Sequence, residues 1–141
     1  MERAVDTLNR LLAAEQGSLV RRLAEADPFV TWRAADDKAE IRRMIADIER
    51  HERDLARMIL KLRGAPIPPT YPTSAGGVHY LKLSYLMPQV IANVRQIIRA
   101  YEEAGTTGDR EADALIARHL EDHKRHLANV QRIHADAFQP S

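Results

Sequence analysis

The chain contains no cysteine, which excludes disulfides, thiolate metal sites and cysteine nucleophiles together. Any metal would have to be held by histidine and carboxylate. A dominant charge is also missing: 21 Lys and Arg stand against 20 Asp and Glu, leaving no electrostatic footprint for nucleic acid or an acidic membrane. Apolar runs long enough to span a bilayer are absent, and residues 1–6 (MERAVD) lack the apolar core of a signal peptide. A cytoplasmic protein with neither a membrane nor a nucleic-acid partner is expected. Internal repeats and strand periodicity are absent too. What remains is 141 residues, 45% hydrophobic and 29% charged, the composition of one globular domain over 1–141 with a single sizeable core.

The apolar residues recur at three and four, which is helical spacing. Leu8, Leu11, Leu12, Leu19 and Leu23 predict a first helix over about 4–26, ended by Asp27-Pro28. A connector over 28–35 holds the single Trp, after which Asp37-x-x-Glu40 offers a capping-box start to a second helix. Ile41, Met44, Ile48, Leu55, Met58, Ile59 and Leu62 form its buried stripe, and Gly64 is its expected stop. Four prolines and three glycines over 64–79 predict a long loop. A third helix follows over about 80–103 on Leu83, Met87, Val90, Val94, Ile97 and Tyr101, with Pro88 kinking it or marking a later start. A fourth runs from about 109 to 137.

Four such helices make a four-helix bundle. Short first and third connections make those neighbours antiparallel. A loop of about 15 residues, at roughly 3.1 Å per residue when extended, reaches the whole length of the bundle. The expectation is an all-α fold in which helices two and three are parallel and joined by a long crossover.

Polar residues within the apolar stripes are the candidate site. His119, His123 and His126 lie within an arc of about 60° on the fourth helix, the arc that carries Leu115, Ile116, Leu120, Val130 and Ile133. Glu15 sits among the leucines of the first helix, and His51 between Ile48 and Leu55 on the second. The third helix offers no polar residue at mid-height. One carboxylate and two or three imidazoles from three helices suit a single divalent metal, zinc or iron first, with manganese or copper possible. The competing reading is a metal-free hydrogen-bonded network in which Glu15 pairs a protonated imidazole. His119 reads as a surface or outer residue with Asp122 as its partner, and His79 and His134 read as surface. A modest rotation of the second helix would bring Asp47 inward.

These residues resemble the ferritin-like superfamily, and bacterioferritins in particular. Leu8-Asn9-Arg10-Leu11-Leu12-Ala13-Ala14-Glu15 is similar to the first-helix segment that ends in that family's terminal metal-binding Glu. His51, with Ile59-Leu60-x-Leu62-x-Gly64-x-Pro66 after it, is similar to the second-helix His and its stop. His126 fits the His of the fourth-helix Glu-x-x-His, and Asn93-Val94-Arg95 a third-helix landmark. The departures are larger: Ile48, Met87 and His123 stand where the family's other three carboxylates belong. Two cations about 3.5–4 Å apart need bridging carboxylates, so neither ferroxidase nor di-iron chemistry is carried over. Haem is not expected either, because Glu49 occupies the position of the axial Met.

The sequence thus points to a remodelled mononuclear centre of Glu15, His51, His123 and His126. The resemblance implies a homo-oligomer. A bundle without metal, serving as an interaction module, and a non-haem iron oxidase with an open coordination position are the competing functions.

Overall fold

The structure is a computed structural model that describes residues 2–25, 35–68 and 83–137. Five helices are present among the described residues: α1 Glu2–Gln16, α2 Val20–Glu25, α3 Ala35–Lys61, α4 Leu83–Glu103 and α5 Arg110–Ala137. No strand occurs among the described residues. The protein is an all-α four-helix bundle, in which the short α2 follows α1 and packs, like it, on α3 and α4. Residues 28–34 of the connector, with Trp32, residues 69–79 of the expected loop, with His79, and residues 80–82 of the expected third helix lie outside the described residues.

The directions of the helices follow from their side-chain pairs. Asn9 binds the backbone of Ala65 and Ile67 while Glu15 binds His51, so α1 and α3 are antiparallel. Lys61 with Glu111, His51 with Asp122 and Asn129 with Glu40 set α3 antiparallel to α5. Asn93 with Leu19 and Tyr101 with Glu15 set α4 antiparallel to α1. Hence α3 and α4 run parallel, the arrangement that a crossover connection requires.

The expected first helix is broken. The backbone leaves it at Gly17-Ser18, where Gly17 N–H still reaches Ala13 and Ser18 N–H reaches Glu15. The orphaned Leu19 N–H is then taken by the Asn93 side-chain oxygen at 2.9 Å. Ser and Gly at this joint favour turn over helix. The expected capping box at Asp37-x-x-Glu40 does not form either, because α3 already begins at Ala35. Asp37 instead pairs with Arg132 at 3.1 Å and Glu40 accepts from Asn129. Pro88 lies inside α4, which starts ahead of it at Leu83.

Two apolar clusters fill the bundle. One joins Val20, Leu23, Ile41, Met44, Ile48, Met87, Val90, Val94, Val130 and Ile133. The other joins Leu8, Leu11, Leu12, Leu55, Ile59, Ile97, Tyr101 and Ile116. Between them in height, α3 and α5 contribute His51, His119, His123 and His126, all buried. Each large aliphatic side chain buried in the two clusters contributes about 1.5–3 kcal/mol. Their combined burial is what can carry a polar layer in the middle.

The end of α3 separates two roles that the sequence merges in Gly64. Gly64 N–H reaches Ile59 and Arg63 N–H reaches Leu60, a Schellman termination. Its left-handed residue is Arg63, at φ 65°. Gly64 is needed for space: a Cβ there would stand 2.5 Å from Val5 Cγ1 and 3.1 Å from Ile59 Cγ2. Gly64→Ala is therefore expected to destabilise by about 1–3 kcal/mol through overpacking. Arg63→Gly is expected to stabilise by up to about 1 kcal/mol by removing the left-handed cost. Urea denaturation of both variants checks the pair, and equal effects would contradict this division.

Candidate metal centre

Glu15 lies in the last turn of α1, on the face that carries Leu8, Leu11 and Leu12, and is fully buried. The negative end of a helix dipole is a poor place for an unpaired carboxylate and a good one for a cation. Three donors crowd onto one of its oxygens. His51 Nδ1 is 3.0 Å from Oε1, His123 Nε2 is 2.5 Å from it, and the Tyr101 hydroxyl donates to it at 2.7 Å. The other oxygen, Oε2, is buried with no hydrogen-bond partner.

Three of the imidazoles turn one nitrogen to an aspartate across the α3–α5 seam. His51 Nε2 meets Asp122 at 2.8 Å, His126 Nε2 meets Asp47 at 2.9 Å, and His119 Nε2 meets Asp54 at 3.3 Å. The pattern is reciprocal: α3 presents Asp47, His51 and Asp54 where α5 presents His126, Asp122 and His119. His51 stacks on His119 with ring centroids 4.0 Å apart. Arg50 bridges the outer side, reaching Asp122 at 2.8 Å and Asp47 at 3.2 Å.

Of the four expected ligands, Glu15, His51 and His123 come together, each offering one ligand atom within 4.8 Å of the others. That group could hold a metal ion. His126 stands beside it, its ring centroid 5.3 Å from that of His123 and 6.4 Å from that of His51. With Nε2 on Asp47, its Nδ1 is buried and unpartnered.

Four features differ from the sequence expectation. His119 is a buried member of the layer, 2% exposed, because the same arc that carries the other two histidines faces inward. Its partners are Asp54 and Tyr101, and Asp122 belongs to His51. Asp47 reaches His126 from its half-buried place on α3, so no inward carboxylate is needed for the contact. The third helix does contribute: Met87 is sealed in an apolar cluster, and Tyr101, read as an apolar residue, brings its hydroxyl to Glu15. The inverse spacing of Asp47, His51, Asp54 and His119, Asp122, His126 was the available signal. His134 is half-buried near the end of α5.

Electrostatics follows from these contacts. Burial pushes the Glu15 carboxyl up, but the hydrogen bonds from His123 and His51 outweigh it and hold the group at about 2. Burial pushes His51 down, and Glu15 and Asp122 outweigh that, so its value is raised above 6.5. His119 is lowered to about 4 by burial and the neighbouring His51. Burial also lowers His126. For Asp122, burial raises the value, and His51 and Arg125 bring it to about 2. Tyr101 is pushed well above 10 by burial and the Glu15 charge.

No protein-family model, curated protein or solved structure matches the chain.

His119 carries a testable pH dependence. Its folded value of about 4 lies below the ordinary 6.5, so between those limits the unfolded chain binds a proton that the folded one refuses. The stability it contributes is full above 6.5 and is lost as pH falls to 4. His51, raised instead, gains stability over the same descent and offsets part of the loss. His119→Gln is expected to remove the loss, flattening the slope between pH 6.5 and 4 by about 1–3 kcal/mol, since a tenfold change in proton affinity is worth roughly 1.4 kcal/mol. Denaturant titrations across that range read it, and parallel slopes in the two proteins would refute it.

Proposed function

We propose that the chain is a metal-binding bundle related to the ferritin-like proteins, whose centre holds one divalent cation, zinc or iron, without ferroxidase activity. The carrying observation is the crowding at Glu15. Three donors point at one carboxylate oxygen while its second oxygen has no partner. A buried orphan oxygen costs about 1–3 kcal/mol, and a cation drawn to that carboxylate would meet the demand. His51 Nδ1, His123 Nε2 and Glu15 are the residues that would hold the ion, with His126 Nδ1 as the candidate fourth donor.

The surroundings suit that role. His51 offers Nδ1 inward while Nε2 faces Asp122, the carboxylate–histidine arrangement that orients metal-bound imidazoles. His126 is oriented the same way by Asp47. When bound, the ion supplies positive charge and Lewis acidity to a dry site. A closed set of four ligands favours a structural or storage role. No helix among the described residues is long and apolar enough to cross a membrane. Assembly into a homo-oligomer belongs to the same proposal and is checked by sedimentation.

A second reading has its own observation. His51 is raised, with a carboxylate on each nitrogen, as an imidazolium locked between Glu15 and Asp122 would be. In that form the layer is a register-setting network without metal.

Cobalt(II) added to untagged, chelator-stripped protein separates the two. One ion per chain is expected, with the visible absorption of a four-coordinate site, lost in His123→Ala. Asp122→Asn is expected to weaken binding by about 10- to 100-fold, as for other partners of metal-bound histidines. Protein that retains no cobalt after dialysis would leave the metal-free network standing.

A further inference from the structure

Tyr101 belongs to the buried layer, yet the four donors Glu15, His51, His123 and His126 leave it unused. Its hydroxyl oxygen stands 2.7 Å from Glu15 Oε1 and 3.1 Å from His119 Nδ1, in a side chain 2% exposed. Ligand atoms bound to one ion at about 2.0–2.1 Å lie about 2.8–3.4 Å from each other. The phenol oxygen meets Glu15 close to that spacing. The phenol also has two acceptors for a single proton. Neutral His119 that donates its Nε2–H to Asp54 presents a bare Nδ1 to the phenol.

We propose that Tyr101 is a further donor to the cation held by Glu15, His51 and His123, and that the centre thereby prefers ferric iron to zinc. The proposal rests on the metal reading above. A carboxylate and a phenolate beside two imidazoles form a harder, more anionic set than imidazoles alone, the set that suits a small trivalent cation. As the metal–oxygen bond forms at Tyr101 Oη, the O–H bond breaks and the proton passes to His119 Nδ1. His119 gives up its Nε2 proton on the Asp54 side and is neutral again, so one proton leaves and no electron is transferred. Asp54 is partly exposed and lines a surface cleft with Arg57, Lys61 and Arg118, so the proton has an exit to solvent.

Ferric nitrilotriacetate added to stripped wild-type protein and to Tyr101→Phe tests this, with cobalt(II) on parallel samples. Wild type is expected to develop a phenolate-to-iron absorption band in the visible, with tyrosinate ring vibrations enhanced in the resonance Raman spectrum. Tyr101→Phe, which keeps the ring and its packing, is expected to lose both while still binding cobalt. Circular dichroism confirms its fold, and the wild-type Raman spectrum stands by itself should the variant be unstable. Wild type that holds ferric iron without the band, or takes up none, overturns the Tyr101 proposal while cobalt binding leaves the centre intact. An undiminished band in Tyr101→Phe overturns it as well. Failure of both proteins to bind cobalt overturns the centre, and the Tyr101 proposal with it.

Discussion

A single buried negative charge, the Glu15 carboxylate, sets the terms for the middle of this bundle. A carboxylate removed from water costs several kcal/mol even after relaxation, and it can be kept ionised only by donors aimed at it. His51 on α3, Tyr101 on α4 and His123 on α5 are those donors. All four long helices are thereby fixed in height relative to one another by one oxygen atom. The apolar clusters on either side supply most of the stability. Slippage along a seam of leucines and isoleucines costs little at each step, whereas misplacing a charge costs a great deal.

The reciprocal aspartate–histidine pairs extend this outward. Each of Asp47, Asp54 and Asp122 is partly exposed and touches a buried imidazole across the α3–α5 seam. Water reaches the carboxylates and is kept from the rings. In His119 and His126 the aspartates hold the proton on Nε2 and leave Nδ1 for the interior, whereas His51 faces a carboxylate at both nitrogens. Arg50 and Arg125 balance the outer charge. Most of the layer's negative charge thus lies outside the imidazole shell, where solvent screens it.

Periodicity made the bundle legible, since every stripe residue of the second helix from Ile41 to Ile59 is buried. The buried polar residues Glu15, His51, His123 and His126 were legible for the same reason: a polar residue on an apolar arc stands out. Tyr101 did not, because its ring satisfies the apolar stripe and only its hydroxyl takes part. The partner of His119 was not legible, because a helical wheel resolves an arc within one helix and says nothing of the neighbour opposite. Asp122 is three residues from His119 but faces His51 on another helix. The break at Gly17 was hidden by leucines on both sides that keep the helical period, although Gly-Ser is itself a stop signal. Arg63 in the left-handed region could not be anticipated with a glycine next to it.

The charge inventory bears on how many ions the interior can take. Inside the imidazole shell stands one carboxylate, so a single divalent ion leaves a net charge of one. Two such ions about 4 Å apart would repel each other by about 16 kcal/mol, four times the roughly 4 kcal/mol for unit charges at an effective dielectric of 20. One carboxylate cannot offset that, and the positions of Ile48 and Met87, both sealed in apolar clusters, add none. A trivalent ion with the Tyr101 oxygen as a second anionic ligand leaves the same net charge of one. The inner shell is therefore matched in charge either to a divalent ion on Glu15 alone or to a trivalent ion on Glu15 and Tyr101. Which of these it holds turns on whether the phenol proton stays on Tyr101 or leaves by way of His119.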